Sequence, residues 1–190
     1  MPKHDSKPGK AARTAAQKPA GERAAKGAAP ATRGAAAAGT TAKAPVGKAA
    51  RSITRAALIG ELNDDLSKEF SALIQYVQHA AAITGPQYDA IRAELSIHSN
   101  EEHAHALSLA EQIDFLGGTP GVDVAEVHVS EISKAMLEQD LDGELDAIAR
   151  YKARIAQAEQ LQEYGLRRAL EDILMVEEEH ARDLQNALDL

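Results

Sequence analysis

Two stretches, Glu102-His103-Ala104-His105 and Glu177-Glu178-Glu179-His180, each hold a carboxylate and an imidazole three residues apart. On a helix that spacing makes neighbours on one face, so Glu102 can meet His105 and Glu177 can meet His180. A further glutamate stands 33 residues before each motif, at Glu69 and Glu144. The chain therefore reads as one helical hairpin written twice, with a lone carboxylate on the first helix and Glu-x-x-His on the second. Four carboxylates and two imidazoles form a ligand set for two metal ions. Buried carboxylates without compensation cost several kcal/mol each and would rather protonate or pair. No Lys or Arg falls on the same stripes at that depth, so cations are expected to supply the charge, and two divalent ions balance four carboxylates. Oxygen-rich donors with one imidazole per ion suit iron or manganese better than the closed, thiolate-favouring tetrahedra of structural zinc.

The elements that must position these residues are four amphipathic helices, giving an all-α fold. The first begins near Ser52 or Thr54 and runs to about Thr84, where Gly85-Pro86 stops it; Leu62, Leu66, Glu69, Leu73, Tyr76 and Ala80 form its inward stripe. The second starts at Pro86, a suitable first helical residue, and runs to about Phe115 with Leu95, His98, Glu102, His105 and Leu109 inward. From Leu116 to about Ser130 there is no helical pattern, and Gly117-Gly118-Thr119-Pro120-Gly121 breaks the chain. Extended, such a linker spans roughly 45–50 Å, whereas a helix of about 28 residues is only ~42 Å long. A long crossover between helices two and three is therefore expected rather than a short hairpin. The third helix is expected to open at Ser130, with Leu137, Leu141, Glu144, Ile148, Tyr151 and Ile155 inward. A turn around Glu163–Gly165 leads to the fourth, with Leu170, Ile173, Glu177, His180, Leu184 and Leu188 inward. Tyr76 and Tyr151 each follow a lone glutamate by seven residues; core packing is the simplest role for Tyr151.

Charge divides the chain into two physically different parts. Residues 1–50 hold ten Lys and Arg against two acids, for a net +8, while residues 51–190 carry a net −16. After Met1 no Val, Ile, Leu, Phe, Tyr or Trp occurs before Val46. Such a segment cannot bury enough apolar surface to offset its ordering entropy, so disorder is expected. It has no apolar core of a secretory signal; an organelle transit peptide is an alternative, although the regular Lys, Pro and Ala spacing favours a linker-like polycation. Non-specific nucleic acid is the expected partner, through phosphate contacts, against a solubilising tail or one that binds the acidic helical part. With no cysteine, disulfides and thiolate sites are excluded, which fits a reducing cytoplasm. No apolar run approaches the ~18 residues of a membrane span.

Over residues 51–190 the chain resembles the bacterioferritin branch of the ferritin-like superfamily. The resemblance rests on Leu62-Asn63, Glu69, Gln75-Tyr76 and His79-Ala80 in the first helix, then Glu102 with His105-Ala106, and Phe115-Leu116-Gly117-Gly118-Thr119-Pro120. It continues through Asp140-Leu141, Glu144-Leu145-Asp146, Glu177-Glu178 and His180. It implies a ferritin-like four-helix bundle in which Glu69 and His105 bind one iron, Glu144 and His180 the other, and Glu102 and Glu177 bridge. Tyr76 would lie beside this di-iron site, placed to hydrogen-bond a ligand or reduce an oxygen intermediate. Bacterioferritins bind haem at a subunit dyad through a methionine directly after the helix-two glutamate; His103 stands there, so haem is not expected. The chain stops ten residues after His180, without the short fifth helix of the full-size cage, so a smaller cage or another assembly is open. His98 and Glu101 could hold a secondary iron; contact with water at the helix surface explains them equally.

The expected function is that of a ferroxidase and iron-storage or detoxification protein, in a homo-oligomeric cage, that oxidises Fe(II) with O₂ or H₂O₂. The seven residues carrying it are Glu69, Tyr76, Glu102, His105, Glu144, Glu177 and His180. DNA binding through residues 1–50 would place it at the nucleoid in the cytoplasm. The alternatives are a rubrerythrin-like peroxidase or manganese catalase that stores nothing, or a nucleoid-associated protein whose metal is structural.

Overall fold

A computed structural model describes residues 53–189 of the chain. Expectations for residues 1–50 lie outside the described residues. Four helices account for most of the rest: α1 Arg55–Ala82, α2 Asp89–Phe115, α3 Ser133–Gln160 and α4 Tyr164–Ala187, with a single 3-10 turn at Pro86–Tyr88. No strand occurs among the described residues, and no helix there is long and apolar enough to cross a membrane.

Thr54 caps α1 by accepting the Ala57 amide on its hydroxyl at 3.2 Å, satisfying one of the donors that a helix start leaves free. α2 ends in a Schellman motif: Gly118 N–H reaches Ile113 O at 2.9 Å and Gly117 N–H reaches Asp114 O at 2.8 Å. Gly117 takes the left-handed conformation that this requires, at φ 85°. α3 ends the same way, with Glu163 N–H on Ala158 O and Gln162 N–H on Glu159 O at 2.9 and 3.0 Å. There the left-handed position is occupied by Gln162, at φ 60°.

The crossover is stitched to α1 at one-turn intervals. Asn63 Oδ1 accepts the Gly121 amide at 2.6 Å, Ser67 O the Ala125 amide at 2.9 Å, and Gln75 Oε1 the His128 amide at 2.8 Å, while Ser71 Oγ donates to Glu126 O at 2.6 Å. These contacts satisfy backbone groups that an irregular segment would otherwise leave unpaired. At its far end Ser133 Oγ donates to Thr84 O at 2.9 Å and accepts the Thr84 amide at 3.0 Å. The linker thus travels the length of α1 and delivers α3 to its C-terminal end, the crossover that linker length predicts.

Four boundaries differ from expectation. α2 starts at Asp89, because Pro86–Tyr88 form a 3-10 turn before it. α1 stops at Ala82, two residues before Thr84, with Ile83 as its cap. α3 starts at Ser133 and not Ser130, because the Ser130 hydroxyl is engaged by the Ile132 amide at 3.0 Å. The turn before α4 lies at Leu161–Glu163, and Gly165 is already helical.

Two apolar clusters fill the bundle. One gathers Leu58, Leu62, Leu66, Leu109, Ile113 and Leu170 towards the α1 start; the other gathers Ile83, Ile91, Leu95, Met136, Leu137 and Leu184 towards its end. Between them lies a polar layer at Glu69, Glu102, His105, Glu144, Glu177 and His180, all buried.

Candidate metal centre

Each helix contributes to this layer through one inward turn, and the six predicted ligands come together there. Glu69, Glu102, His105 and Glu177 offer ligand atoms within 4.8 Å of one another, as do Glu102, Glu144, Glu177 and His180. His105 Nδ1 faces Glu69 Oε2 at 3.6 Å, Glu102 Oε2 at 3.4 Å and Glu177 Oε1 at 3.2 Å. His180 Nδ1 faces Glu102 Oε1 at 3.2 Å, Glu144 Oε1 at 3.4 Å and Glu177 Oε2 at 3.4 Å. Glu102 and Glu177 therefore each turn one oxygen to either group, as a bridging carboxylate must.

The donor set fits metal ions. Glu69 Oε2, Glu102 Oε1, His105 Nδ1, both Glu177 oxygens and His180 Nδ1 are buried without a hydrogen-bond partner. Unpaired buried polar atoms are costly, and bound cations would satisfy all six. Electrostatics agree. Burial and the neighbouring carboxylates Glu102 and Glu177 push Glu69 well up, and burial with Glu177 does the same to Glu144. Burial also opposes ionisation of Glu102, but the imidazoles of His105 and His180 beside it hold its carboxyl well down. Burial opposes the charge on His105, yet Glu102, Glu177 and Glu69 raise it to about 12.

A ring of hydrogen bonds outside the ligands obeys a pseudo-twofold repeat of 75 positions that pairs Glu69 with Glu144, Glu102 with Glu177 and His105 with His180. Tyr151 Oη donates to Glu69 Oε1 at 2.5 Å, and Tyr76 Oη donates to Glu144 Oε1. One turn before each lone glutamate stands a buried aspartate, Asp65 or Asp140. Asp65 is bound by Arg150 Nη1 and Arg154 Nε, each at 2.7 Å. Asp140 Oδ1 is bound by Gln75 Nε2 at 2.9 Å and lies 2.8 Å from His79 Nδ1.

Tyr151 is therefore more than core filling, and Arg150, which lies off the inward stripe, still brings its Nη2 to 3.9 Å from Glu69 Oε1. Both follow from the α1–α3 contact, which a reading of axial stripes does not cover. His180 Nε2 lies 2.8 Å from Glu101 Oε2, and His98 stacks on the His180 ring with centroids 3.9 Å apart. Burial and His180 lower His98 to about 4. His98 and Glu101 thus flank the centre, while His103 is exposed. A cavity of about 520 Å³ lies along α1, α3 and the linker; Lys68, Gln75, Tyr76, Glu126 and Arg150 line it together with Glu69, Glu102, Glu144 and Glu177.

The ferritin-like domain matches residues 59–190, which include all four helices' inward turns. The chain belongs to the ferritin-like family. This ferritin-like chain is 33% identical over 133 residues to a bacterioferritin of Brucella melitensis, covering 70% of this chain and 83% of that one. Among solved structures it is similar to a ferritin-like di-iron-carboxylate protein of Bacillus anthracis, with a TM-score of 0.68, 36% identity, and coverage of 70% and 96%. It is also similar to a dodecameric thioferritin, the bacterioferritin-related protein of Bacteroides fragilis, with a TM-score of 0.68, 29% identity, and coverage of 73% and 88%.

Proposed function

We propose that this ferritin-like protein is a ferroxidase for iron storage and detoxification, with Fe(II) as its substrate. The observation that carries the reading is the pair of four-residue groups sharing Glu102 and Glu177, each carboxylate presenting one oxygen to either group. Glu69 and His105 complete one position, Glu144 and His180 the other. Two Fe(II) held there give two electrons to one O₂, which takes two protons to leave as H₂O₂, or to one H₂O₂, which takes two protons to leave as two waters. Fe(III) then passes into a homo-oligomeric shell as mineral.

The chain's own residues supply the rest. The shared glutamates hold both ions at one separation, which removes the entropic cost of bringing them together. Tyr76 and Tyr151 fix the lone glutamates through their hydroxyls, and Tyr76 also borders the cavity through which the oxidant would approach. The acidic helical part, net −16, attracts cations. Manganese has the same ligand preferences and is the alternative metal; exposed His103 in place of the usual methionine argues against haem.

Stopped-flow Fe(II) oxidation tests the proposal: Glu102→Ala and His180→Ala abolish it, and wild-type rates in those variants defeat it. Loading far beyond two irons per chain separates storage from a peroxidase or manganese catalase. The basic residues 1–50 support non-specific DNA binding, multiplied by display on one particle, and a cytoplasmic, nucleoid-associated setting. A gel shift that is unchanged on deleting residues 1–50 removes that role.

A further inference from the structure

One buried pair beside the centre takes no part in holding metal. The side chains of His79 and Asp140 are fully buried, with His79 Nδ1 2.8 Å from Asp140 Oδ1. Gln75 Nε2 donates to the same oxygen at 2.9 Å. Among the described residues the only salt bridge of either is with the other, and neither hydrogen-bonds to a ligand of the centre. His79 lies on α1 between Tyr76 and Ile83, in the end of the bundle filled by Leu95 of α2, Leu137 of α3 and Leu184 of α4. From α2 and α4, His98 and His180 face the Tyr76 ring, at 5.3 and 6.2 Å between centroids. Asp140 reaches the same phenol electrostatically: burial, Glu144 and then Asp140 push Tyr76 well up.

The 75-position repeat sets this pair against a counterpart of different chemistry. Asp140 answers to Asp65, Gln75 to Arg150 and His79 to Arg154. Asp65 has both oxygens taken, Oδ1 by Arg150 Nη1 and Oδ2 by Arg154 Nε, each at 2.7 Å. Those guanidiniums keep their protons at any working pH. Asp140 has Oδ1 taken twice, while its Oδ2 is buried without a partner, and so is His79 Nε2. A pair kept for packing alone would have its buried polar atoms satisfied, as Asp65 has. An imidazole, unlike a guanidinium, gives up and regains a proton near neutral pH. One aspartate is therefore locked between permanent cations, and the other shares a proton that can leave. Asp140 also lines the cavity, together with Tyr76 and Glu144.

We propose that the His79–Asp140 pair donates a proton to the oxygen reduced at the centre, Asp140 handing it into the cavity and His79 acting through Asp140. The proposal rests on the ferroxidase reading, in which two electrons from two Fe(II) and two protons convert O₂ to H₂O₂. One proton leaves His79 Nδ1 for Asp140 Oδ1, and the Asp140 carboxyl releases it through the cavity to the oxygen that has gained the electrons. The pair is left as neutral imidazole and carboxylate, and a proton from solvent restores it by the same route. The second proton of each turnover comes from solvent directly. A positioned acid of this kind contributes roughly 10²–10⁴-fold to a rate.

The test is single-turnover oxidation by O₂ of the full-length protein already carrying two Fe(II) per chain, so that metal binding is separated from chemistry. Stopped flow follows it from about pH 6 to 8.5, in H₂O and in D₂O. Asp140→Asn and His79→Gln keep the side-chain size and a hydrogen bond but supply no transferable proton. Each should slow oxidation roughly a hundredfold near neutral pH and raise the solvent isotope effect. Each should also remove the fall in rate that the wild-type protein shows as rising pH strips the pair of its proton. Circular dichroism and a Co(II) stoichiometry of two per chain verify the fold and the centre of both variants. Wild-type rates in both, or a slowing that keeps the wild-type pH profile and isotope effect, overturn the proposal. A wild-type chain that binds two Co(II) but does not oxidise Fe(II) overturns the ferroxidase reading itself, a separate result.

Discussion

Tyr151 Oη lies 2.5 Å from Glu69 Oε1 across the α1–α3 contact, and Tyr76 repeats the relationship with Glu144 in the opposite direction. Each phenol donates to a buried carboxylate that has no other neutral donor. Tyr151→Phe or Tyr76→Phe removes that donor but keeps the ring in the core. In the metal-free protein each change should cost about 1–3 kcal/mol, the usual penalty for stranding a buried acceptor. Divalent metal should restore most of the loss, because the carboxylate then has a cation. Chemical denaturation of both variants with and without Co(II) measures the difference.

Above pH 6.5 the metal-free protein should lose stability steadily. The folded His105 is held up at about 12 by Glu102, Glu177 and Glu69, against burial, while an unfolded histidine titrates near 6.5. Its stabilising contribution is therefore complete below about 6.5 and declines as pH rises toward 12. His180 is raised in the same sense by Glu102, Glu144 and Glu177, and burial raises Glu69 and Glu144. The two histidines push the same way in this window. Metal should reverse the slope, since it binds the deprotonated ligands. Thermal unfolding from pH 6.5 to 9 in chelator and in Co(II) compares the two; parallel curves would contradict the assignment of the layer as a metal site.

Gln162 is left-handed at φ 60° in the position that Gly117 fills at the end of α2. A side chain there costs about 1–2 kcal/mol relative to the right-handed region, partly offset by glycine's greater freedom in the unfolded chain. Gln162→Gly should therefore stabilise the protein by up to about 1 kcal/mol, read as a rise in Tm. Gly117→Ala should do the reverse.

What the sequence made legible was whatever lay on one helical face. Glu69, Glu102, Glu144 and Glu177 step with the leucines around them, so three-and-four spacing placed them at one depth. The long linker announced its crossover through reach alone. Hidden features were those set by contacts between elements. Asp65, Arg150 and Arg154 sit on the flank where α1 meets α3, and an axial stripe does not include that flank. Ser130 read as the helix start, but its hydroxyl accepts the Ile132 amide and Ser133 is held by Thr84, contacts that no spacing announces. Gln162 hides a left-handed residue that sequence preference would assign to Gly165. The 75-position repeat would have exposed the paired Asp65 and Asp140, because both precede a lone glutamate by one turn.

The sharing of Glu102 and Glu177 makes an unequal prediction for ligand removal. Glu177 turns Oε1 toward His105 and Oε2 toward His180, at 3.2 and 3.4 Å. Glu69 faces His105 alone, at 3.6 Å. Replacing Glu177 by Gln takes a charged oxygen from both positions and leaves an amide whose NH₂ repels a cation. Replacing Glu69 by Gln damages one position only and leaves Glu144, His180 and both shared carboxylates intact. Bound metal after dialysis against micromolar Co(II), measured by atomic absorption, should fall from two per chain to about one in Glu69→Gln and to near zero in Glu177→Gln. Equal losses in the two variants would mean that the positions are not joined through Glu177.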